Sequence, residues 1–207
     1  MNRGLLIEFL IPLLSVAATT VALQAAGADL AVAALFYVPG AGWPQGGREP
    51  WEFLYRYGNI PAFALGALGV IAFALGFFVE RLRRYRAAAL FVVAFLALGP
   101  GLIVNTVFKD HWGRPRPAEI VQFGGTEVFR PFWSPGGQGQ GRSFPSGHAA
   151  IGFFVLAPFF VFRKTSPGRA RRALGAGFLY GALMGLARII QGGHFLTDVI
   201  WSGILVY

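Results

Sequence analysis

The chain has 207 residues, of which 55% are hydrophobic and 13% charged, and its mean hydropathy is +0.56. Soluble domains carry about 25% charged residues, and a single core of this size cannot bury so much apolar surface. The absence of cysteine excludes disulfide scaffolds, iron–sulfur clusters and thiolate-bound metals. We therefore expect an all-α integral membrane protein whose residues 1–207 form one domain.

Six apolar stretches predict a bundle of six membrane helices. The first has 22 residues, longer than the roughly 7–15 apolar residues of a cleaved signal peptide, so we expect a retained helix, with a cleaved signal as the alternative. The second and third, with 20 and 22 uncharged residues, meet the length of about 20 residues that spanning requires. In chain order the six stretches are Leu5–Ala26, Ile60–Val79, Ala87–Phe108, Ala149–Phe162, Ala173–Ile190 and Phe195–Tyr207.

Two of these stretches are too short as they stand. The fourth has 14 residues and spans only if its helix begins earlier, near 145–148. The sixth has 13 residues, so we expect either a shortened sequence or an incomplete helix. A further run, Leu30–Val38, is too short to cross and is predicted to lie at the interface or in a loop.

The placement of charge supports this topology. If the amino terminus is cytoplasmic, the inner loops 80–86 and 163–172 carry four and five basic residues against one acid. The outer loop 27–59 carries two basic residues against three acids. This is the positive-inside pattern. Because half of the 18 Lys and Arg residues lie in two separate short loops, we expect no nucleic-acid partner despite the net charge of +9.

The second outer loop, 109–147, departs from that pattern. It has five basic residues against three acids, an excess that favours an anionic ligand, although solvated loop charges are the plain alternative. The basic residues are Lys109, Arg114, Arg116, Arg130 and Arg142.

Three polar clusters fall on this same outer side. The first, 109–117, follows the third helix; the second, 144–148, opens the fourth; the third, 187–198, joins the fifth and sixth. A Pro-Ser-Gly turn that enters a helix presents free N–H groups and the positive end of the helix dipole, an anion site. The Ser146 hydroxyl can add a hydrogen bond, and Gly147 permits close approach. The cations that can surround the other oxygens of a phosphate are Lys109, Arg116 and Arg188.

The histidines supply acid–base or nucleophilic chemistry. His194 and Asp198 are four residues apart and share one helix face, so the carboxylate can orient the imidazole. His148 supplies a second imidazole as proton donor. The residues alone leave open which histidine is the nucleophile. Taken singly, each cluster also fits a structural interpretation as an interfacial histidine, a helix-stabilising pair or an N-cap. Structural or substrate-contacting residues without an assigned role are His111, Trp112, Arg114 and Arg142.

The three clusters together resemble the signature of the type 2 phosphatidic acid phosphatase (PAP2) superfamily, which includes the vanadium haloperoxidases. Its pattern is Lys-x6-Arg-Pro, Pro-Ser-Gly-His and Ser-Arg-x5-His-x3-Asp. Ala187 replaces the leading Ser, for which we expect a changed hydrogen bond rather than lost activity. The motif-bearing part covers about residues 105–207, and the matching positions are Lys109, Arg116, Pro117, Pro145, Ser146, Gly147, His148, Arg188, His194 and Asp198.

The resemblance implies a lipid phosphatase that needs no metal or other cofactor. In that family pattern His194 attacks phosphorus, Asp198 orients it, and His148 protonates the leaving oxygen and later helps to activate water. The implied phosphate-binding residues are Lys109, Arg116, Ser146, Gly147 and Arg188.

The implied substrate is a lipid phosphate monoester or diphosphate: phosphatidic acid, phosphatidylglycerol phosphate, undecaprenyl diphosphate or lipid A. No residue selects among these, and the oligomeric state is left open. The compact length favours a bacterial inner membrane protein whose site faces the periplasm. A phosphotransferase would use the same residues, whereas haloperoxidases are largely soluble, which this composition argues against. A silent lipid-binding protein is the remaining alternative, but binding alone does not require both imidazoles.

Overall fold

A computed structural model describes residues 3–137, 139 and 141–207, with side chains from Ile7 onward. Within these residues the chain is helical apart from loops and two isolated β-bridges, as the composition predicts. The α-helices are α1 (Arg3–Ala25), α2 (Ala28–Ala34), α3 (Trp51–Tyr57), α4 (Ile60–Leu75), α5 (Glu80–Arg83), α6 (Arg86–Leu96), α7 (Gly147–Phe153), α8 (Ala157–Phe162), α9 (Pro167–Ile190) and α10 (Leu196–Val206).

Four further segments of the described chain are helical without being α-helices. The π-helical segment Ala97–Lys109 continues α6, and the 3₁₀ turn Phe154–Leu156 joins α7 to α8. Two further 3₁₀ turns, Pro117–Glu119 and Val121–Phe123, lie in the long outer loop. The helices therefore combine into fewer and longer rods than their separate bounds suggest.

Four of these rods are long and apolar enough to cross a membrane: Ile7–Ala25, Trp51–Leu75, Arg86–Lys109 and Pro167–Ile190. Two shorter apolar helices complete the bundle, Gly147–Phe162 and Leu196–Val206. All six predicted stretches are thus helical, and the fourth begins near residue 147 as its length required. Two predicted bounds were wrong. The second helix ends at Leu75 and not at Val79, because the chain turns at residues 76–78. The fifth helix begins at Pro167 and not at Ala173, because a charged helical turn can extend beyond the bilayer edge.

Glycines allow α7 and α9 to approach closely. A Cβ atom on Gly181 would overlap the ring of Phe153, and one on Gly177 would overlap the backbone of Leu156. Close helix contact through glycine is the usual packing mode in membranes, where lipid gives helices no hydrophobic reason to associate. Beneath the outer end of this pair lies an apolar core shared with α10 and the π-helical segment, formed by Val104, Ala149, Ala150, Phe153, Ile189, Val199 and Val206.

The α1 helix, in contrast, presents its apolar side chains outward. Leu14 is 63% and Ile11 57% exposed at the surface of the molecule, which suits a helix that faces lipid. Glu8 is paired with Arg163 at one end of the bundle, so the charge within this apolar stretch is compensated. The site residues lie at the opposite end.

Candidate active site

The structure brings the three polar clusters together at one end of the bundle, the end predicted to face outward. Lys109 ends the π-helical segment, His148 lies in the first turn of α7, and His194 lies in the turn between α9 and α10. Arg188, Lys109 and Arg116 all interact electrostatically with His148, and Lys109 and Arg188 also interact with His194. Residues separated by up to 85 positions in the sequence thus surround one point.

Two residues that the sequence left without a role lie in structural positions. The Nδ1 atom of His111 is 3.1 Å from the carbonyl oxygen of Thr106 and 3.0 Å from that of Val107, at the end of its own helix. The indole of Trp112 donates to the carbonyl oxygen of Phe132 at 2.7 Å. The His111 contacts close the end of the π-helical segment, and the Trp112 contact fastens the long outer loop.

The His194 imidazole is 1% exposed, and its Nδ1 atom lies 2.6 Å from the carbonyl oxygen of Ser143. A carbonyl oxygen only accepts hydrogen bonds, so Nδ1 carries the proton and Nε2 keeps its lone pair. The Asp198 Oδ2 atom is 3.7 Å from Nδ1, longer than a hydrogen bond. Asp198 instead accepts the Ser143 hydroxyl at 2.6 Å. The carboxylate therefore acts on His194 through Ser143, a residue that sequence reasoning missed because a backbone carbonyl leaves no sequence signal.

Burial lowers the pKa of His194 to about 4, against the opposing effect of the Asp198 carboxylate. Desolvation disfavours the charged imidazolium. The imidazole is therefore neutral at pH 7, the form in which its Nε2 atom is nucleophilic.

This pKa predicts a loss of stability in acid. Above pH 6.5 the ring is neutral in both folded and unfolded chains, but between pH 6.5 and about 4 only the unfolded chain takes up the proton. The cost at the acid end is on the order of 3 kcal/mol. We expect thermal unfolding in detergent to show a larger drop between pH 7 and pH 4.5 for the native protein than for His194→Asn, whose amide does not titrate. Equal drops would contradict the assignment.

The phosphate-binding candidates have spare donors. The Nε atoms of Arg116 and Arg188 are buried and, within the described part of the chain, have no hydrogen-bond partner. Buried donors of this kind cost free energy unless a ligand satisfies them. Ser146 caps α7, its Oγ atom 3.4 Å from the backbone nitrogen of Ala149. A Cβ atom on Gly147 would lie 3.1 Å from Lys109 Nζ, so the ammonium group lies directly beside the first turn of α7.

Gly193 is a further site residue that the sequence analysis did not single out. A Cβ atom there would overlap the Nη2 atom of Arg188. Glycine therefore leaves the space that the guanidinium group occupies. In the sequence, the position of Gly193 immediately before His194 is the feature that could have indicated its role.

Gly193→Ala is expected to lower kcat/KM for phosphate release about 100-fold, the effect of losing one well-placed donor to a charged transition state. The matched control is Gly175→Ala on α9, where a Cβ atom meets no neighbour and activity should be unchanged. Steady-state kinetics of both variants would check this, and full activity of Gly193→Ala would show that Arg188 is not needed in its present position.

A buried ion network supports the turn that carries His194. Arg114 is 0% exposed and donates to Asp198 at 2.5 Å and to Asp29 at 2.7 Å. Asp29 also accepts the backbone nitrogen and the hydroxyl of Thr197, at 2.9 Å and 2.7 Å. The network therefore joins α2, the long outer loop and the start of α10. From the sequence, Arg114 had no assigned role and Asp29 was only one of the acids of the first outer loop.

Comparison with known proteins gives the family of the chain. Residues 87–207, more than half of the chain, match the model of the PAP2 superfamily. The chain belongs to the PAP2 superfamily. The resemblance drawn from the three motifs is thereby confirmed, and no solved structure shows a significant match to this PAP2 protein.

Three curated relatives of this PAP2 protein are lipid A 4'-phosphatases. That of Francisella tularensis subsp. novicida (strain U112) is 39% identical over 186 residues, which cover 86% of this chain and 81% of the relative. That of Rhizobium leguminosarum is 36% identical over 135 residues (63% and 54%), and that of Rhizobium etli is 33% identical over 134 residues (63% and 49%). The apolar helices and these bacterial relatives indicate a multi-pass bacterial membrane protein, as predicted. The family and the relatives also confirm the prediction of a lipid phosphatase, which is a phosphoric ester hydrolase.

Proposed function

We propose that this PAP2 phosphatase removes the 4'-phosphate of lipid A and forms a phosphohistidine on His194 without a metal ion. The observation that carries the mechanism is the buried His194 ring, whose Nδ1 proton is held by the Ser143 carbonyl oxygen at 2.6 Å. The substrate rests on the Francisella relative, which matches 86% of the chain, well beyond the residues 87–207 common to the superfamily.

The reaction begins with attack of the His194 Nε2 lone pair on phosphorus. The bond from phosphorus to the 4'-oxygen of the sugar breaks, and His148 gives its proton to that oxygen. In the second step water attacks the phosphohistidine, with His148 accepting a proton, and orthophosphate leaves. The Ser143 carbonyl oxygen stabilises the positive charge that develops on the His194 ring during attack.

Three cations and the first turn of α7 hold the phosphoryl oxygens in this scheme. Phosphoryl transfer depends mainly on positioning and on electrostatic stabilisation of the transition state. The donors are the side chains of Lys109, Arg116 and Arg188 together with Ser146 and Gly147. The partnerless Nε atoms of the two arginines support this role, since a phosphate oxygen would satisfy them.

We place the site at the periplasmic face of the inner membrane. The basic inner loops 80–86 and 163–172 support this orientation. On the long outer loop Trp133 is 49% and Val128 71% exposed, as suits side chains that contact the headgroup region. A sugar phosphate at this level reaches His194 while its acyl chains remain in the bilayer.

The test measures phosphate release by the protein purified in detergent with EDTA present. The substrates are lipid A, phosphatidic acid, phosphatidylglycerol phosphate and undecaprenyl diphosphate. We expect lipid A to be preferred, with mass spectrometry locating the lost phosphate at the 4' position. Preference for another lipid would overturn the assignment of lipid A as the substrate. Loss of activity in EDTA would overturn the metal-free mechanism. Transfer of phosphate to an acceptor in place of water would favour a phosphotransferase.

A further inference from the structure

The α3 helix brings an aromatic ring to the site from outside the part of the chain that matches the superfamily, residues 87–207. The Tyr55 ring stacks on the His148 imidazole, with ring centroids 5.0 Å apart and planes inclined by 28°. The Cζ atom of Arg188 lies 4.6 Å from the centroid of the same Tyr55 ring. One side chain therefore contacts both the proposed proton donor and a proposed phosphate-binding cation.

The same region also holds Arg188 by hydrogen bonds. The Arg188 guanidinium donates to the Gln191 side chain. The Gln191 amide in turn donates to the carbonyl oxygen of Gly46 at 3.0 Å and lies 3.5 Å from a carboxylate oxygen of Glu52. Arg188 is thus fixed on one side by α3 and the loop before it, while its Nε atom is left for an anion.

We propose that Tyr55 is a positioning residue of the phosphatase site, whose ring sets the orientation of the His148 imidazole and the Arg188 guanidinium relative to each other. This inference rests on the proposed function of those two groups. Aromatic stacking and cation–π contact both restrain a partner in direction and distance. His148 is only partly buried, and its imidazole contacts Tyr55 twice, through the stacked ring and through a hydrogen bond to the Tyr55 backbone. The backbone contact survives substitution of Tyr55, so the variants test the ring alone.

The direct test compares Tyr55→Leu with Tyr55→Phe. We expect Tyr55→Leu to lower kcat about 10-fold to 100-fold, the cost of a small misplacement of catalytic groups, with KM within about twofold. Tyr55→Phe should keep most of the activity, since both contacts are made by the ring and not by the hydroxyl. The matched control is Tyr57→Leu on the same helix, whose ring packs on Phe53 at 5.3 Å, and it should match the native protein.

The choice of substrates separates positioning from a general structural role. Short-chain phosphatidic acid has a poor leaving group that needs the proton from His148, whereas p-nitrophenolate leaves without one. Tyr55→Leu should therefore lose more activity toward phosphatidic acid than toward p-nitrophenyl phosphate. An equal loss on both substrates, or a loss confined to KM, would overturn the proposal, the latter because it indicates direct contact with the lipid.

Folding and the proposed function are checked separately. Tyr55 is 39% exposed, so we expect its variants to fold, and Tyr55→Met replaces Tyr55→Leu if the latter elutes as an aggregate in detergent. These soluble substrates make the test independent of whether lipid A is the natural one. If the native protein releases phosphate neither from these substrates nor from lipid A, the proposed function fails, and if it acts on lipid A alone, the variants are compared by their kcat on lipid A. If it hydrolyses the soluble substrates and Tyr55→Leu matches Tyr57→Leu, only the role of Tyr55 fails.

Discussion

His194→Ala is expected to lower phosphate release about 10⁴-fold or more, the scale of losing a nucleophile that acts as one unit with its neighbours. The reason is that no other described imidazole can take its place. His148 stacks on the Tyr55 ring and has a hydrogen bond to the Tyr55 backbone, so α3 holds it for its proposed role of protonating the leaving oxygen, and it has no contact with the Ser143 carbonyl oxygen among the described residues. The measurement is the release of inorganic phosphate in detergent, followed over hours so that a rate reduced by this factor is still detected.

The matched control for this variant is His111→Ala. His111 is exposed and, within the part of the chain that the structure describes, bonds to carbonyl groups of its own helix end, so its loss should leave the rate within about twofold. Acid quenching of the native protein during turnover should also trap a phosphorylated peptide that contains residue 194, and His194→Ala should yield none. A trapped phosphate on another residue, or substantial turnover by His194→Ala, would overturn the assignment of the nucleophile.

The second large effect is on folding. Arg114→Met is expected to destabilise the protein by about 3–5 kcal/mol, because it leaves buried carboxylates without their counter-charge. Asp29 and Asp198 are both 0% exposed and have no access to water that could replace the guanidinium. Unfolding in detergent by heat or by added denaturant would measure the loss, and activity should fall with it, since Asp198 holds Ser143.

Arg142→Met is the control for charge removal as such. Arg142 pairs with Asp110 at 2.6 Å, but the two side chains are 61% and 43% exposed. Exposed pairs contribute about 0–1 kcal/mol, so this variant should unfold close to the native protein. If the two arginine variants were equally stable, the buried network would contribute little to the fold.

Much of the fold follows from the sequence because a helix that spans the bilayer needs about 20 apolar residues, and such runs are visible in the sequence. The apolar runs Ala87–Phe108 and Leu5–Ala26 lie within a residue or two of the observed bounds. The start of the fifth helix was predicted wrongly, at Ala173 in place of Pro167. Hydropathy indicates where a helix enters the lipid and not where its backbone hydrogen bonding begins. Pro167 at the first helical position, a favoured place for proline, was the better signal.

The site could be predicted only where it lies close to a motif. Lys109, His148 and His194 each stand in a short segment with a recognisable pattern, and counting helices puts those segments on one side. Ser143 contributes a backbone carbonyl, and Tyr55 contributes a ring from a helix with no motif. Neither contribution is visible until packing has brought distant parts of the chain together.

The buried contact between Asp29 and Arg114 has a consequence for how this chain can be divided. The superfamily pattern begins at residue 87, yet a fragment starting there would keep Arg114 and lose one of its two carboxylates. Grafting the catalytic half onto other leading helices would meet the same difficulty unless an acid were supplied at the equivalent depth. An exchange at position 29 therefore disturbs the arginine that also holds Asp198. The segment that carries Asp29 is thus part of the structural support of the site and not an interchangeable anchor.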